Sequence, residues 1–214
     1  AISDRVTALR DGKLAGTRSA QGATRAELAQ LMVGREIKPL APQPLKAGKV
    51  RLQISAMHAM GDRGAEALRG VDLDVHGGEI VGLAGVSGNG QRELAECLAG
   101  LRKITQGTAA IDGQDLTHVS LRARIEAGLA YVPEERMRDG AIREFSVEEN
   151  LFLRDIDNPK FTRGIFLKFA DMDAHARQLV SKFSVKTPRL ETPVKNLSGG
   201  NIQKLIMARE LSRQ

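Results

Sequence analysis

The apolar run Ile80-Val81-Gly82-Leu83-Ala84 empties into Gly85-Val86-Ser87-Gly88-Asn89-Gly90, and from Gln91 onward Leu94, Cys97 and Leu98 share one helical face. A buried strand, a glycine-rich loop and a helix in that order form a phosphate-binding unit. The helix start offers unpaired N–H groups, and glycines let the backbone close around an anion without Cβ interference. The run therefore predicts an α/β chain. For a nucleoside triphosphate the pattern is G-x-x-x-x-G-K-[ST]. Gly85 and Gly90 have that spacing, but Gln91 stands where lysine would meet the β/γ-phosphates and Arg92 where a hydroxyl would hold Mg²⁺. A hydrogen bond to a charged group is worth roughly 1.5–3 kcal/mol, so loss of the lysine costs about one to two decades of affinity. The plain alternative is a tight turn between strand and helix. A dinucleotide fingerprint, G-x-G-x-x-G, fails because Glu93 occupies the last glycine position.

Around this centre the chain reads as two parts. Residues 1–22 alternate about Asp11-Gly12 as a β-hairpin, and Thr24 with Glu27 forms a capping box for a helix carrying Ala26, Leu28, Ala29, Leu31 and Met32 and stopping at Gly34. Ile37–Lys49, with Pro39, Pro42 and Pro44, has the composition of a semi-rigid linker. Beyond it, Val50–Ser55 and Leu68–Val75 read as strands, Thr108–Gln114 as a strand with an Asp-Gly turn, and Leu129–Pro133 as a short buried strand. Leu121–Ala127, Phe169–Phe183 and Ile202–Arg213 read as helices, with Phe169, Met172, Leu179, Val180 and Phe183 as apolar anchors of the second. The expected division is 1–22, 23–49 and 50–214.

Composition excludes several classes. The uncharged stretch from Ile80 to Gln91 falls well short of the roughly 20 residues a membrane span needs. One cysteine and no apolar leader argue against disulfides and secretion, which points to a cytoplasmic compartment. The net charge of +6 is scattered among acids, aromatics are 3% and there is no Trp, so no nucleic-acid partner is expected. The four histidines and Cys97 share no metal-ligand spacing, and no metal site is expected.

A second glycine element decides among the alternatives. Leu197-Ser198-Gly199-Gly200-Asn201-Ile202-Gln203-Lys204 opens the last helix and again presents N–H donors to an anion. With the phosphate loop it makes the chain strongly resemble the nucleotide-binding subunits of ATP-binding-cassette (ABC) transporters, whose signature in sugar and nucleoside importers is LSGGNQQK. This chain departs from it at Ile202. The resemblance implies a P-loop NTPase cassette with a RecA-like core, an antiparallel β subdomain and a helical subdomain spanning Phe145–Phe183. It also implies that the chain stops before the acidic (Walker B) strand, the catalytic glutamate and the switch histidine, leaving no catalytic residue of its own and an open, aggregation-prone strand edge.

Importers of this type carry two cassettes in one polypeptide. The resemblance makes residues 1–22 the tail of the first, 23–49 an inter-cassette helix and linker, and 50–214 most of the second. The loop Gly88-Asn89-Gly90-Gln91 and the segment from Lys186-Thr187-Pro188 to Glu191-Thr192-Pro193 look more like the nucleoside than the ribose branch. Glu134 and Glu135 stand where the family carries its Q-loop glutamine, which couples to the membrane subunit. Adenine usually stacks on an upstream aromatic, for which His58 is the nearest substitute here. In such dimers each ATP lies between one cassette's phosphate loop and the other's signature. The implied function is ATP binding and hydrolysis coupled to sugar or nucleoside uptake. Ser198, Gly199, Gly200 and Asn201 would complete the partner site, while residues 85–92 would form a degenerate one, weak in ATP and Mg²⁺. The implied partners are the other cassette, transmembrane permease subunits and, indirectly, a solute-binding protein, at the cytoplasmic membrane face. The alternative is a non-catalytic module that only pairs with a cassette and a membrane subunit. A small GTPase or kinase would have no LSGGN helix.

Overall fold

The computed structural model describes residues 3–36, 48–156 and 158–212. It divides into two compact units, Ala1–Lys46 and Ala47–Gln214. Most of the proline-bearing segment, residues 37–47, lies outside the described residues.

In the first unit β1 (Arg5–Arg10) and β2 (Lys13–Ser19) form an antiparallel hairpin. Its turn puts Asp11 at φ 51° and Gly12 at φ 73°, the positive values a tight two-residue hairpin turn demands. Helix α1 (Arg25–Val33) starts on the expected capping box, with Thr24 N–H donating to Glu27 at 2.9 Å and Thr24 Oγ1 accepting from Glu27 N–H at 3.2 Å. The Thr24 N–H, together with the Thr24 hydroxyl, which also donates to it at 2.9 Å, holds the Glu27 carboxyl below its usual range. The helix ends at Gly34, φ 79°.

The second unit contains an antiparallel sheet of order β4-β3-β5-β6, built from β3 (Val50–Met60), β4 (Glu66–His76), β5 (Gln106–Ile111) and β6 (Gln114–Asp115). Both long strands extend beyond the stretches expected from alternation because a bulge interrupts the period. Ala56 takes φ 44° and its N–H is captured by Asp72 Oδ1 at 2.8 Å. Opposite the bulge Gly107 has φ 81°, and a Cβ there would strike the carbonyls of Ser55 and Ala56. Gly107→Ala is therefore expected to destabilise the chain by at least about 1–2 kcal/mol, the cost of a left-handed L-residue alone. A urea midpoint within error of the parent would contradict this.

Helix α2 (Gln91–Ala99) packs Leu94 and Cys97 on this sheet's Ile54, Met57, Leu68 and Ala109. Burial pushes the Cys97 thiol up, keeping it an unreactive core group. Helix α3 (Leu121–Glu126) follows, N-capped by Ser120. A separate core joins α4 (Val147–Phe152), α5 (Phe169–Lys182) and α6 (Gly199–Leu211) through Leu151, Phe152, Met172, Leu179, Leu205 and Ile206. Between α4 and α5 lies a small hairpin of β7 (Thr162–Arg163) and β8 (Phe166–Leu167).

Three expectations are corrected. Ile80–Ala84 forms no strand and is exposed, Ile80 at 97%. Leu129–Pro133 also forms no strand, and Val132 is exposed. A parallel strand gains its stability from neighbours on both edges, and among the described residues neither segment has one. Phe169, taken from its spacing as an anchor, is exposed, because it opens α5 before the packed face begins. The RecA-like layer is thus represented by α2, α3 and these two extended segments, whereas the antiparallel and helical subdomains are formed as expected.

Candidate functional site

Gly88 (φ 94°) and Gly90 (φ 99°) let the loop reverse and enter α2, and Asn89 N–H closes a turn on the Val86 carbonyl at 3.1 Å. Gly90 is buried, and a Cβ on it would sit 2.9 Å from the Ala67 carbonyl oxygen, so β4 and the loop meet backbone to backbone. Gly85, Val86, Ser87, Gly88 and Asn89 are exposed, which leaves the loop accessible.

The Gln91 side chain does not extend into solvent. It folds back, its Nε2 donating to the Val86 carbonyl at 3.4 Å and packing directly over Gly85. A neutral amide thus rests within the loop, whose charge-seeking role it cannot serve. Arg92 points elsewhere. Its Nε donates to Glu96 at 2.7 Å and its Nη2 to Asp62 at 2.8 Å. Arg102 grips the same two carboxylates from the other side, at 2.6 Å to Asp62 and 2.8 Å to Glu96, and donates to the Met60 carbonyl at 2.7 Å. Hydrogen bonds from Arg102 and the charge of Arg92 hold the Asp62 carboxyl below its usual range. Burial alone would raise Glu96, yet the hydrogen bonds from Arg92 and Arg102 outweigh it and its carboxyl is lowered. The four side chains make a closed salt-bridge ring that ties the β3–β4 turn to α2. Asp62, Glu96 and Arg102 were missed in the sequence because Asp62 lies 30 positions from Arg92.

Arg92 also borders a charged cleft of about 500 Å³ with Tyr131, Arg138 and Asp139. The carboxylate presented to it after Tyr131 is therefore Asp139. Glu134 and Glu135 are exposed on the neighbouring turn and do not line the cleft. Asp139 is fixed by Arg138, bidentate at 2.8 Å and 2.8 Å, and that hydrogen bonding lowers its carboxyl. His58 pairs with Glu66 at 2.6 Å and is partly covered.

The second glycine element starts α6. Ser198 takes the extended N-cap conformation, but its side chain makes no capping bond to the helix. Its Oγ instead accepts from Asn201 Nδ2 at 3.0 Å, while Asn201 Oδ1 accepts from Lys186 N–H at 3.0 Å. Ser198, Gly199 and Gly200 are exposed, and nothing lies within 4 Å of where a Gly200 Cβ would be. Leu197 is half-buried, Gln203 exposed and Ile202 buried at 3%. The departure from the signature pattern at Ile202 is thus a packing position of the α4–α5–α6 core. Arg136 reaches the Gly199 carbonyl at 3.4 Å.

Residues 68–214 match the family described as ABC transporter. The chain belongs to the ABC transporter family. This ABC chain is 45% identical over its whole length to the glucose import ATP-binding protein TsgD13 of Haloferax volcanii, spanning 39% of that protein. It is 38% identical to the nucleoside import ATP-binding protein NupA of Lactococcus lactis, covering 42% of it, and 38% identical to the guanosine import ATP-binding protein NupO of Bacillus subtilis, also covering 42%. The ABC chain thus spans about two fifths of the curated relatives it matches. The cassette fold is shared with dimeric MJ0796 bound to ADP and Pi, at TM-score 0.61 and 22% identity over 75% of this chain and 69% of that one. Among the described residues no helix of the ABC chain is long and apolar enough to cross a membrane, and no cluster of His, Cys, Asp or Glu could hold a metal ion.

Proposed function

We propose that this chain is the inter-cassette segment and second cassette of the ATP-binding subunit of an importer for sugars or nucleosides, and that its two glycine elements serve two unequal sites. Residues 1–22 are then the tail of the first cassette and 50–214 the second. The observation that carries the inequality is the contrast at the two helix starts. Gln91 lies folded in the phosphate loop and Arg92 is locked in a salt-bridge ring, whereas Ser198, Gly199 and Gly200 stand open. Ser198 to Asn201 would present N–H and hydroxyl donors to ATP held by the other cassette. Gly85 to Arg92 would hold nucleotide weakly and without Mg²⁺ dependence, since Arg92 stands at the position whose hydroxyl would hold the metal.

The cleft beside Tyr131 and Asp139, with Glu134 and Glu135 on the adjoining turn, is the surface this reading assigns to coupling with a permease subunit at the membrane's cytoplasmic face. Similarity to the glucose, nucleoside and guanosine import proteins supports the substrate class. The folded-in Gln91 equally favours a cassette that pairs without hydrolysing at its own loop. The test is Mg²⁺-dependent ATPase of the full-length protein after Ser198→Arg and after Gln91→Ala. Ser198→Arg is expected to remove most turnover and Gln91→Ala to leave most of it; equal losses would refute the asymmetry.

A further inference from the structure

A concavity of about 570 Å³ lies between α5, the segment Ser184–Leu190 and α6, apart from the phosphate loop and bordering the second glycine element at Lys204. That volume is within the 300–1,000 Å³ of ordinary small-molecule sites. Its floor is apolar, formed by Val180, Val185 and Leu190, of which the last two are buried. Its rim is cationic, carrying Lys186, Arg189 and Lys204, and no carboxylate lines it.

The cations differ in how they are held. Arg177, also on the rim, is neutralised by a bidentate pair with Asp173 at 2.8 and 2.9 Å. Lys204 Nζ is positioned by one hydrogen bond to the Ser184 carbonyl at 2.9 Å and has two further protons to donate. Lys186 and Arg189 form no ion pair among the described residues. The wall bearing them is preorganised. Val185 N–H is bonded to the Val180 carbonyl at 2.9 Å, Lys186 N–H to Asn201 Oδ1, and Thr187 Oγ1 to the Arg189 carbonyl at 2.7 Å.

We infer that this pocket binds a phosphate monoester with an apolar or aromatic body, the phosphate between Lys186, Arg189 and Lys204 and the body against Val180, Val185 and Leu190. Three uncompensated cations call for an anion of more than one charge, and a dry floor gives nothing to a bare ion. The inference does not rest on nucleotide binding at the phosphate loop, none of whose residues lines the pocket.

The test follows backbone amide shifts of the isotope-labelled protein titrated separately with AMP, inorganic phosphate and adenosine. AMP is expected to shift the amides of Ser184 to Thr187, Arg189, Leu190 and Lys204, saturating at lower concentration than either other probe, and added salt to weaken it. Lys186→Glu/Arg189→Glu should weaken that response at least tenfold with the rest of the spectrum unchanged. The milder Lys186→Gln/Arg189→Gln pair decides the matter should the charge reversal perturb folding. Shifts confined to Gly85–Gly90, no shifts, equal saturation by adenosine or inorganic phosphate, or an undiminished response in the variants would each overturn the site.

Discussion

Glu210→Gln is expected to cost about 3–5 kcal/mol of unfolding free energy, the penalty for stripping the partner from a buried charge. The Glu210 side chain on α6 is only 4% exposed. Its Oε1 accepts from Arg209 Nε at 2.9 Å, and its Oε2 pairs with Arg154 and accepts from Tyr131 N–H at 3.3 Å. The surrounding cations are themselves committed, Arg209 Nη2 to the Gly140 carbonyl at 2.9 Å and Arg154 Nη2 to the Leu129 carbonyl at 2.9 Å. Burial, reinforced by the charge of Arg154, already pushes Arg209 down to about 10. An amide in place of the carboxylate keeps the shape and leaves the desolvated Arg209 guanidinium without its carboxylate partner. The contrast is Glu126→Gln, which breaks an i,i+4 pair with Arg122 whose side chains are 60% and 67% exposed. Such exposed pairs are worth under about 1 kcal/mol. Urea titrations of both variants decide the point. A Glu210→Gln midpoint no lower than that of Glu126→Gln would show that the buried cluster carries little stability.

That cluster also marks where reading the chain stops being possible. Local signals were legible because their physics is local. Asp11-Gly12 dictates a hairpin turn, and Thr24 with Glu27 satisfies helix N–H groups three residues away. The loop glycines and the signature are equally local, so both candidate elements were found. Ile80–Ala84 and Leu129–Pro133 have strand composition, but strand formation is decided by partners that composition does not supply. The two-residue strands β7 and β8 are too short to show a period. The ring of Asp62, Arg92, Glu96 and Arg102 joins residues up to 40 positions apart, and the Tyr131–Glu210 bond spans 79. Arg92 was legible as the wrong residue for Mg²⁺, yet its actual engagement, with carboxylates outside the loop, was not.

This engagement makes the repair experiment informative. Gln91→Lys/Arg92→Ser is expected to raise affinity for ATP by about one to two decades and to make binding Mg²⁺-dependent, because it adds a charged donor and a metal-ligating hydroxyl together. The structure argues that the exchange is tolerated. Gln91 makes only one long hydrogen bond, at 3.4 Å, and removal of Arg92 leaves Arg102 bridging Asp62, Glu96 and the Met60 carbonyl. The β3–β4 turn should therefore stay on α2, and the urea midpoint should fall by little. Lysine at 91 has no carbonyl it must satisfy within the loop and can turn its ammonium to a phosphate. Gln91→Lys alone should gain affinity without metal dependence, and Arg92→Ser alone should gain neither, since a hydroxyl without phosphate held nearby has no metal to bind. Titration of a fluorescent ATP analogue with and without Mg²⁺ separates these outcomes. If the double variant keeps its fold and gains nothing, residues 91 and 92 are not what weakens the loop, and the two-site asymmetry must rest on the exposed, unpaired segment Ile80–Ala84 instead.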